Sequence, residues 1–341
     1  MLRIYIVIPA HNEEDNIGKT LESMVNQHLK PTQLVIVNDN STDRTREIAN
    51  DFSQQHSWIQ LVNKKSSKEH LPGVKIIEAF YKGYQILDED YDVICKFDAD
   101  MVFEEDYLMK LSQHFKENKR LGMVSGQCYI QKDYQWVLEN LNKDDHIRGS
   151  LKAYRKACFL EIGKIAKSIG WDTLDELMAQ YYGWELKVDP SLKVKHLKPT
   201  GLKYSPGAAK LQGIATYRMR LGLILTLIIG LKRTWLKRDI RIFFNYIKGF
   251  LQAKRKKISF IVDSKQGKFL RTTDGKGFFK GLNHNKVHLS IFVPDEKIEH
   301  TGIGQWRERT HLLLETRSKQ NDRSTFCSSR KCRYGFIGHQ S

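Results

Sequence analysis

Long apolar runs are missing from this sequence. In its basic half the longest stretch without a charge, residues 221–231, is eleven residues long, against roughly 20 needed for a helix to cross a bilayer. That stretch cannot cross alone. Cysteine is scarce too. The five thiols, Cys95, Cys128, Cys158, Cys327 and Cys332, are odd in number and lack CxxC spacing, which argues against a disulfide scaffold and a structural zinc site and predicts reduced thiols in a cytosol. Residues 1–14 lack a charged segment followed by a long apolar one, so no secretory leader is expected there. Acidic residues thin out along the chain: residues 1–190 carry 24 basic and 30 acidic side chains, residues 191–341 carry 32 and 9.

What is present is a chain of 341 residues, 40% apolar and 28% charged, which excludes both intrinsic disorder and a polytopic membrane protein and allows one large or two modest domains. The near-neutral first part suits a globular enzyme. The second part, at +23, calls for an anionic partner such as phospholipid, nucleic acid or a phosphorylated substrate. There Ile240, Phe243, Phe244, Ile247, Phe250 and Leu251 fall at helical spacing and run into Lys254-Arg255-Lys256-Lys257. Such a helix either lies in a membrane interface, its cations on lipid headgroups, or packs on the domain with a solvated basic end.

Over the first 130 residues short β-rich runs alternate with amphipathic stretches. Strands are predicted at 3–8, 33–38, 59–63 and 93–97, and helices at 16–27, 43–54 and 73–87, the second of these capped by Thr42 or Asp43. A helix at 107–115, a strand at 122–130 and a mixed region to about 168 follow. Then Leu174, Leu177, Met178, Tyr181 and Tyr182 share one helical face, with Asp172 placed as N-cap and Gly183 as terminator. The order predicts an α/β fold, a Rossmann-like, mostly parallel sheet flanked by helices, followed by a basic, partly amphipathic helical C-terminal region. Ligands of such sheets sit at the carboxyl ends of the strands. Those ends read His11-Asn12-Glu13, Asp39-Asn40-Ser41 and Asp98-Ala99-Asp100.

In an extended backbone, residues i and i+2 project to the same side, so Asp98 and Asp100 converge. Two carboxylates with a small residue between them leave a divalent cation room for waters and substrate phosphates, as Mg²⁺ and Mn²⁺ require. A bare pair of turn aspartates would look the same. What separates the two readings is company: Ile4 to Glu14, Val35 to Asp43 and Lys96 to Asp100 together resemble the inverting family 2 glycosyltransferases of the GT-A fold, in the family's order and spacing.

The resemblance covers about residues 3–200 and more loosely continues to about 282. It implies a nucleotide-diphosphate sugar donor, with Pro9, Ala10 and Glu13 bordering the nucleotide and Asp39 on the base; Asn38 stands where the family has a further aspartate. It implies that Asp98 and Asp100 are the metal-binding DxD, Asp100 the direct ligand of Mg²⁺ or Mn²⁺ and Asp98 nearer the ribose and a metal-bound water. The family's Glu-Asp pair has its aspartate eleven residues before a glycine. Asp172 keeps that distance to Gly183 while Trp171 replaces the glutamate, so the resemblance makes Asp172 the general base. Arg148, within His146-Ile147-Arg148-Gly149, contacts donor phosphate or is structural. His196 matches a histidine that some of these enzymes use as a third metal ligand.

The division expected is a nucleotide-sugar-binding catalytic domain at 1–205, a membrane-associating basic helical region at 206–282, and a basic tail at 283–341. The expected activity is transfer of a sugar to an acceptor hydroxyl in glycan, polysaccharide or glycolipid synthesis, on the cytoplasmic face of an anionic membrane. Three rivals remain. A polyprenyl-phosphate sugar transferase shares the DxD and the membrane, and a nucleotidyltransferase also binds nucleotide and metal on such a sheet, although no glycine-rich phosphate loop lies near the first strand. A basic nucleic-acid-binding protein would explain the charge, although neither a zinc knuckle nor an RRM-like motif is present and no nucleic acid is expected as partner.

Overall fold

Along the first strand, β1 (Ile4–Ala10), alternate residues part to opposite sides. Ile4, Ile6 and Ile8 enter one core and Tyr5 and Val7 another, the period of two that a strand buried on both faces requires. The computed structural model describes residues 1–66, 73–139, 146–198 and 206–272. In chain order it places α1 (Ile17–Val25), β2 (Gln33–Asp39), α2 (Thr45–Gln55), β3 (Ile59–Lys64), α3 (Val74–Tyr84), β4 (Val93–Phe97), β5 (Met101–Phe103), α4 (Tyr107–Glu117) and β6 (Leu121–Lys132). Then come β7 (Gln135–Leu138), β8 (Leu151–Arg155), α5 (Lys156–Glu161), α6 (Trp171–Tyr181), β9 (Glu185–His196), α7 (Pro206–Arg218), α8 (Gly222–Lys237) and α9 (Ile240–Arg255).

The strands form one sheet in the order β3-β2-β1-β4-β8-β6-β9-β5, with β7 added beside β6. From β3 to β4 every pairing is parallel; beyond β4 the sheet is mixed, because β8 runs antiparallel to both β4 and β6. The α/β class and the flanking helices agree with the reading of the sequence. One core lies under α1, α2 and α4 and the other under α3, α5 and α6, where it continues into side chains of α7, α8 and α9.

The last three helices pack closely. A Cβ on Gly213 would come within 2.0 Å of the Tyr246 carbonyl, and one on Gly249 within 2.0 Å of the Lys210 carbonyl; only glycine lets the backbones of α7 and α9 touch there. Inside, Thr226 Oγ1 donates to Thr216 Oγ1 at 2.9 Å and Tyr246 hydroxyl to Gln212. The buried stripe of α9 is Ile242, Tyr246, Gly249, Phe250 and Ala253. This corrects one expectation: Phe250 is not free for a membrane but packs edge-on against Tyr217, 5.5 Å between centroids. Ile224, Leu231 and Trp235 of α8 and Ile240, Phe244 and Leu251 of α9 remain exposed. Among the described residues no helix is long and apolar enough to cross a membrane. The tail at 283–341, residues 273–282, the boundary at 205 and the thiols Cys327 and Cys332 lie outside the described residues. Cys95, Cys128 and Cys158 are buried.

Candidate active site

Three strand ends and the start of one helix bring the acidic residues into place. Pro9 and Ala10 are register partners of Val37 and Asn38, so the loops after β1 and β2 leave the sheet side by side. Asn12 and Asn40, the second residue after β1 and the first after β2, both have positive φ, 54° and 55°, a conformation asparagine tolerates. His11 Nδ1 lies 2.6 Å from the Asp39 carbonyl and locks the two loops together.

Asp39 is buried; its Oδ2 accepts from Ser66 Oγ at 2.7 Å and faces Lys64 Nζ at 3.4 Å, while its Oδ1 is buried with no partner among the described residues. An unpaired buried acceptor is costly unless a ligand supplies a donor. Asn38 is spoken for, since its Nδ2 donates to Asn63 Oδ1 at 2.9 Å. Glu13 is likewise committed: Oε1 pairs with Lys198 Nζ at 2.9 Å and Oε2 accepts from Asn16 at 2.9 Å. It therefore ties the first loop to the segment that follows β9.

The DxD aspartates point to different partners. Asp98 Oδ1 pairs with Lys96 of β4, and Asp100 Oδ2 lies 3.3 Å from His196 Nε2 at the end of β9. Asp100 and His196 meet because Met101 of β5 is the register partner of His196. Behind His196 stands Glu139, which sequence reasoning missed: Oε2 accepts from Nδ1 at 2.7 Å and from Arg148 Nη1 at 2.6 Å. All four side chains are buried. Burial by itself would lower the His196 pKa, but the hydrogen bonds and charges of Asp100 and Glu139 overcome it and hold the imidazole up at about 9. Burial would raise Glu139, and His196 with Arg148 brings it down to about 2.

Among the described residues no three His, Cys, Asp or Glu side chains stand together as a metal cage. Asp100 Oδ2 and His196 Nε2 do face each other at 3.3 Å as an oxygen and a nitrogen donor, with the imidazole oriented from behind by a carboxylate, the arrangement that supports metal-ligating histidines. That pair fits a divalent ion that keeps its other positions for water and phosphate oxygens.

Asp172 sits differently from the expectation. Helix α6 is capped by Gly170 at φ 73°, so Asp172 is the second helical residue and makes no capping bond. The N-cap reading is corrected: glycine reaches the left-handed conformation that turns the chain into the helix. The Asp172 side chain is half-buried, and its carbonyl accepts from Lys152 Nζ. Lys152 is buried and also holds Asp175 Oδ1 at 2.6 Å and Glu176 Oε1 at 3.3 Å. Glu176 in turn lies 3.0 Å from His146 Nδ1. Lys96, Lys152 and Trp171 belong to this site and were not foreseen. The available signal was a lysine inside each of two apolar runs, Val93–Phe97 and Leu151–Arg155.

Residues 5–165 match the family model Glycosyl transferase family 2. The probable glycosyltransferase YdaM of Bacillus subtilis (strain 168) is 35% identical over 130 residues, 38% of this chain and 30% of that protein. Poly-beta-1,6-N-acetyl-D-glucosamine synthase of Staphylococcus epidermidis is 24% identical over 222 residues, 60% of this chain and 48% of that one. The chain thus spans less than half the length of these curated relatives. Among solved structures, S. aureus TarS 1-349 in complex with UDP-GlcNAc has 15% identity and a TM-score of 0.48, covering 62% of this chain and 66% of that chain. Mannosyltransferase PcManGT from Pyrobaculum calidifontis, with GDP-Man and Mn²⁺, has 14% identity and a TM-score of 0.49, covering 86% of each chain.

Proposed function

Since residues 5–165 belong to glycosyl transferase family 2, we propose that this enzyme moves a sugar, with inversion, from a nucleotide-diphosphate donor to an acceptor hydroxyl. The observation that carries the reading is the placement of Asp39, Asp98 and Asp100 at or just beyond the carboxyl ends of the parallel strands β2 and β4, the last against His196. Asp39 accepts an N–H of the base with its unpaired Oδ1. Pro9, Ala10 and Glu13 form the wall beside the nucleotide, and Arg148 acts through Glu139 and His196 rather than by reaching the phosphates itself.

In the reaction the acceptor oxygen forms a bond to the anomeric carbon as the bond from that carbon to the diphosphate oxygen breaks. The acceptor proton passes to Asp172, and the nucleoside diphosphate leaves. General-base help of this kind is worth about 10²–10⁴ in rate. Asp100 and His196, with Asp98 assisting, would hold Mg²⁺ or Mn²⁺, which would supply charge neutralisation for the leaving diphosphate.

The exposed side chains Ile224, Leu231, Trp235, Phe244 and Leu251, set among the lysines and arginines of 232–257, support peripheral attachment to an anionic membrane, where glycan or glycolipid is assembled on the cytoplasmic face. A thermal-shift screen of nucleotide sugars with Mn²⁺, including UDP-GlcNAc and GDP-mannose, tests the reading. A true donor raises the melting temperature by mass action, and a screen in which no nucleotide sugar stabilises the protein overturns it.

A further inference from the structure

Lys96 of β4 and Lys152 of β8 are register partners across the antiparallel pair, and their side chains are 1% and 0% exposed. Two ammonium groups side by side and out of water repel each other and lose hydration unless each has its own counter-charge. Here each does. Lys96 Nζ donates to Asp98 Oδ1 and, at 3.0 Å, to the Gly149 carbonyl. Lys152 Nζ donates to the Asp172 carbonyl and to the carboxylates of Asp175 and Glu176. Both ammonium groups also lie over the Trp171 ring, 5.4 and 5.5 Å from its centroid, within the range of cation–π attraction.

We infer that Trp171, Lys96 and Lys152 form a single positioning unit that holds the donor-side carboxylate Asp98 and the acceptor-side residue Asp172 in fixed relation. The inference deepens the proposed function and rests on Asp172 being the base. Trp171 stands where the family has glutamate. A carboxylate there would compete for the two ammonium groups and draw them from Asp98 and from the Asp172 carbonyl. An indole face attracts both without claiming their N–H donors. Gly149 completes the unit, for a Cβ on it would lie 3.1 Å from Trp171 Cζ2 and 3.3 Å from Asp172 Cβ. The ring therefore sits directly on the backbone whose carbonyl Lys96 holds. One end of this chain of contacts reaches the DxD and the other the first turn of α6.

The test combines a double-mutant cycle with amide exchange. Nucleoside diphosphate release is measured from UDP-GlcNAc and from GDP-mannose, each with Mn²⁺, for Trp171→Phe, Trp171→Leu, Asp172→Asn and the Trp171→Leu/Asp172→Asn pair. Trp171→Phe keeps a π face and should turn over within about threefold of wild type, while Trp171→Leu should lose about 10²-fold in kcat with little change in donor KM. If Trp171 acts through Asp172, the double variant is no slower than Asp172→Asn alone. Losses that multiply, as independent damage gives, or a wild-type rate in Trp171→Leu, overturn the inference and leave the base assignment standing. A wild-type rate in Asp172→Asn instead overturns the base assignment.

Exchange needs no donor. In the full chain, Lys152→Met should speed exchange of the amides of 174–177 about tenfold while β1 and β2 keep their protection, and Lys152→Arg should restore it. Exchange that is unchanged, or raised throughout the chain, overturns the inference whether or not either sugar nucleotide is a substrate.

Discussion

His196 donates from Nδ1 to Glu139 Oε2 at 2.7 Å while its Nε2 faces Asp100 Oδ2 at 3.3 Å. A histidine raised to about 9 from an ordinary value near 6.5 stabilises the fold fully below about pH 6.5 and loses that contribution as pH rises through about 9. Glu139, lowered to about 2, contributes above about pH 4.5 and loses its contribution as pH falls toward 2. In chelator-treated buffer the melting temperature should therefore fall by several degrees between pH 6.5 and 9.5. His196→Asn should flatten that limb of the curve. A wild-type profile in the variant would show that the imidazole is not the titrating group.

The same pair underlies the metal expectation. Asp98→Ala and Asp100→Ala should each abolish detectable transfer without unfolding the protein, and His196→Ala should raise the Mn²⁺ concentration needed for half-maximal rate. Full activity in excess EDTA would refute the metal role. An unchanged Mn²⁺ titration in His196→Ala would return that residue to a purely structural part.

Because Gly170 and not Asp172 caps α6, Asp172→Asn should leave the melting temperature and nucleotide affinity nearly unchanged. Its kcat should drop about 10²-fold or more. Steady-state kinetics on the first donor found decides the matter, and a wild-type kcat sinks the base assignment.

Exposed and buried phenylalanines on α9 separate lipid binding from packing. Phe244→Ala should change stability by less than about 0.5 kcal/mol yet weaken sedimentation with vesicles containing phosphatidylserine. Phe250→Ala empties a buried site and should cost about 3–5 kcal/mol. Replacing Lys254, Arg255, Lys256 and Lys257 by glutamine should weaken binding to anionic vesicles in a salt-dependent way, at about 1 kcal/mol per cation near the surface. Equal binding to anionic and neutral vesicles would show that the charge serves something else.

Sequence alone was enough for the parallel half of the fold. Strands at 33–38 and 93–97 and the helix at 107–115 emerge within a residue or two of β2, β4 and α4, because each carries its own period of burial and its own breakers. The acidic strand ends were legible for the same reason: a polar cluster after an apolar run marks a site in such a sheet. The short strands β5, β7 and β8 were not: β5 and β7 hold three and four residues, too little pattern to distinguish a strand from a turn, and β8, five residues long like β4, is broken by Lys152 and Arg155. Glu139 was invisible as a site residue, and Lys96 and Lys152 stood out only as lysines inside apolar runs, because a charged side chain in a sequence gives no sign of the partners that let it be buried. Those partners come from β9 for Glu139, from α6 for Lys152, and from Asp98 and the Gly149 carbonyl for Lys96. The two faces of α9 show the same limit. Apolar residues cover both, and only packing against α7 decided that Phe250 is inside and Phe244 outside. Periodicity is a local property of the chain, whereas the choice of which apolar face is covered, and which buried charge is answered, depends on contacts between segments far apart in it.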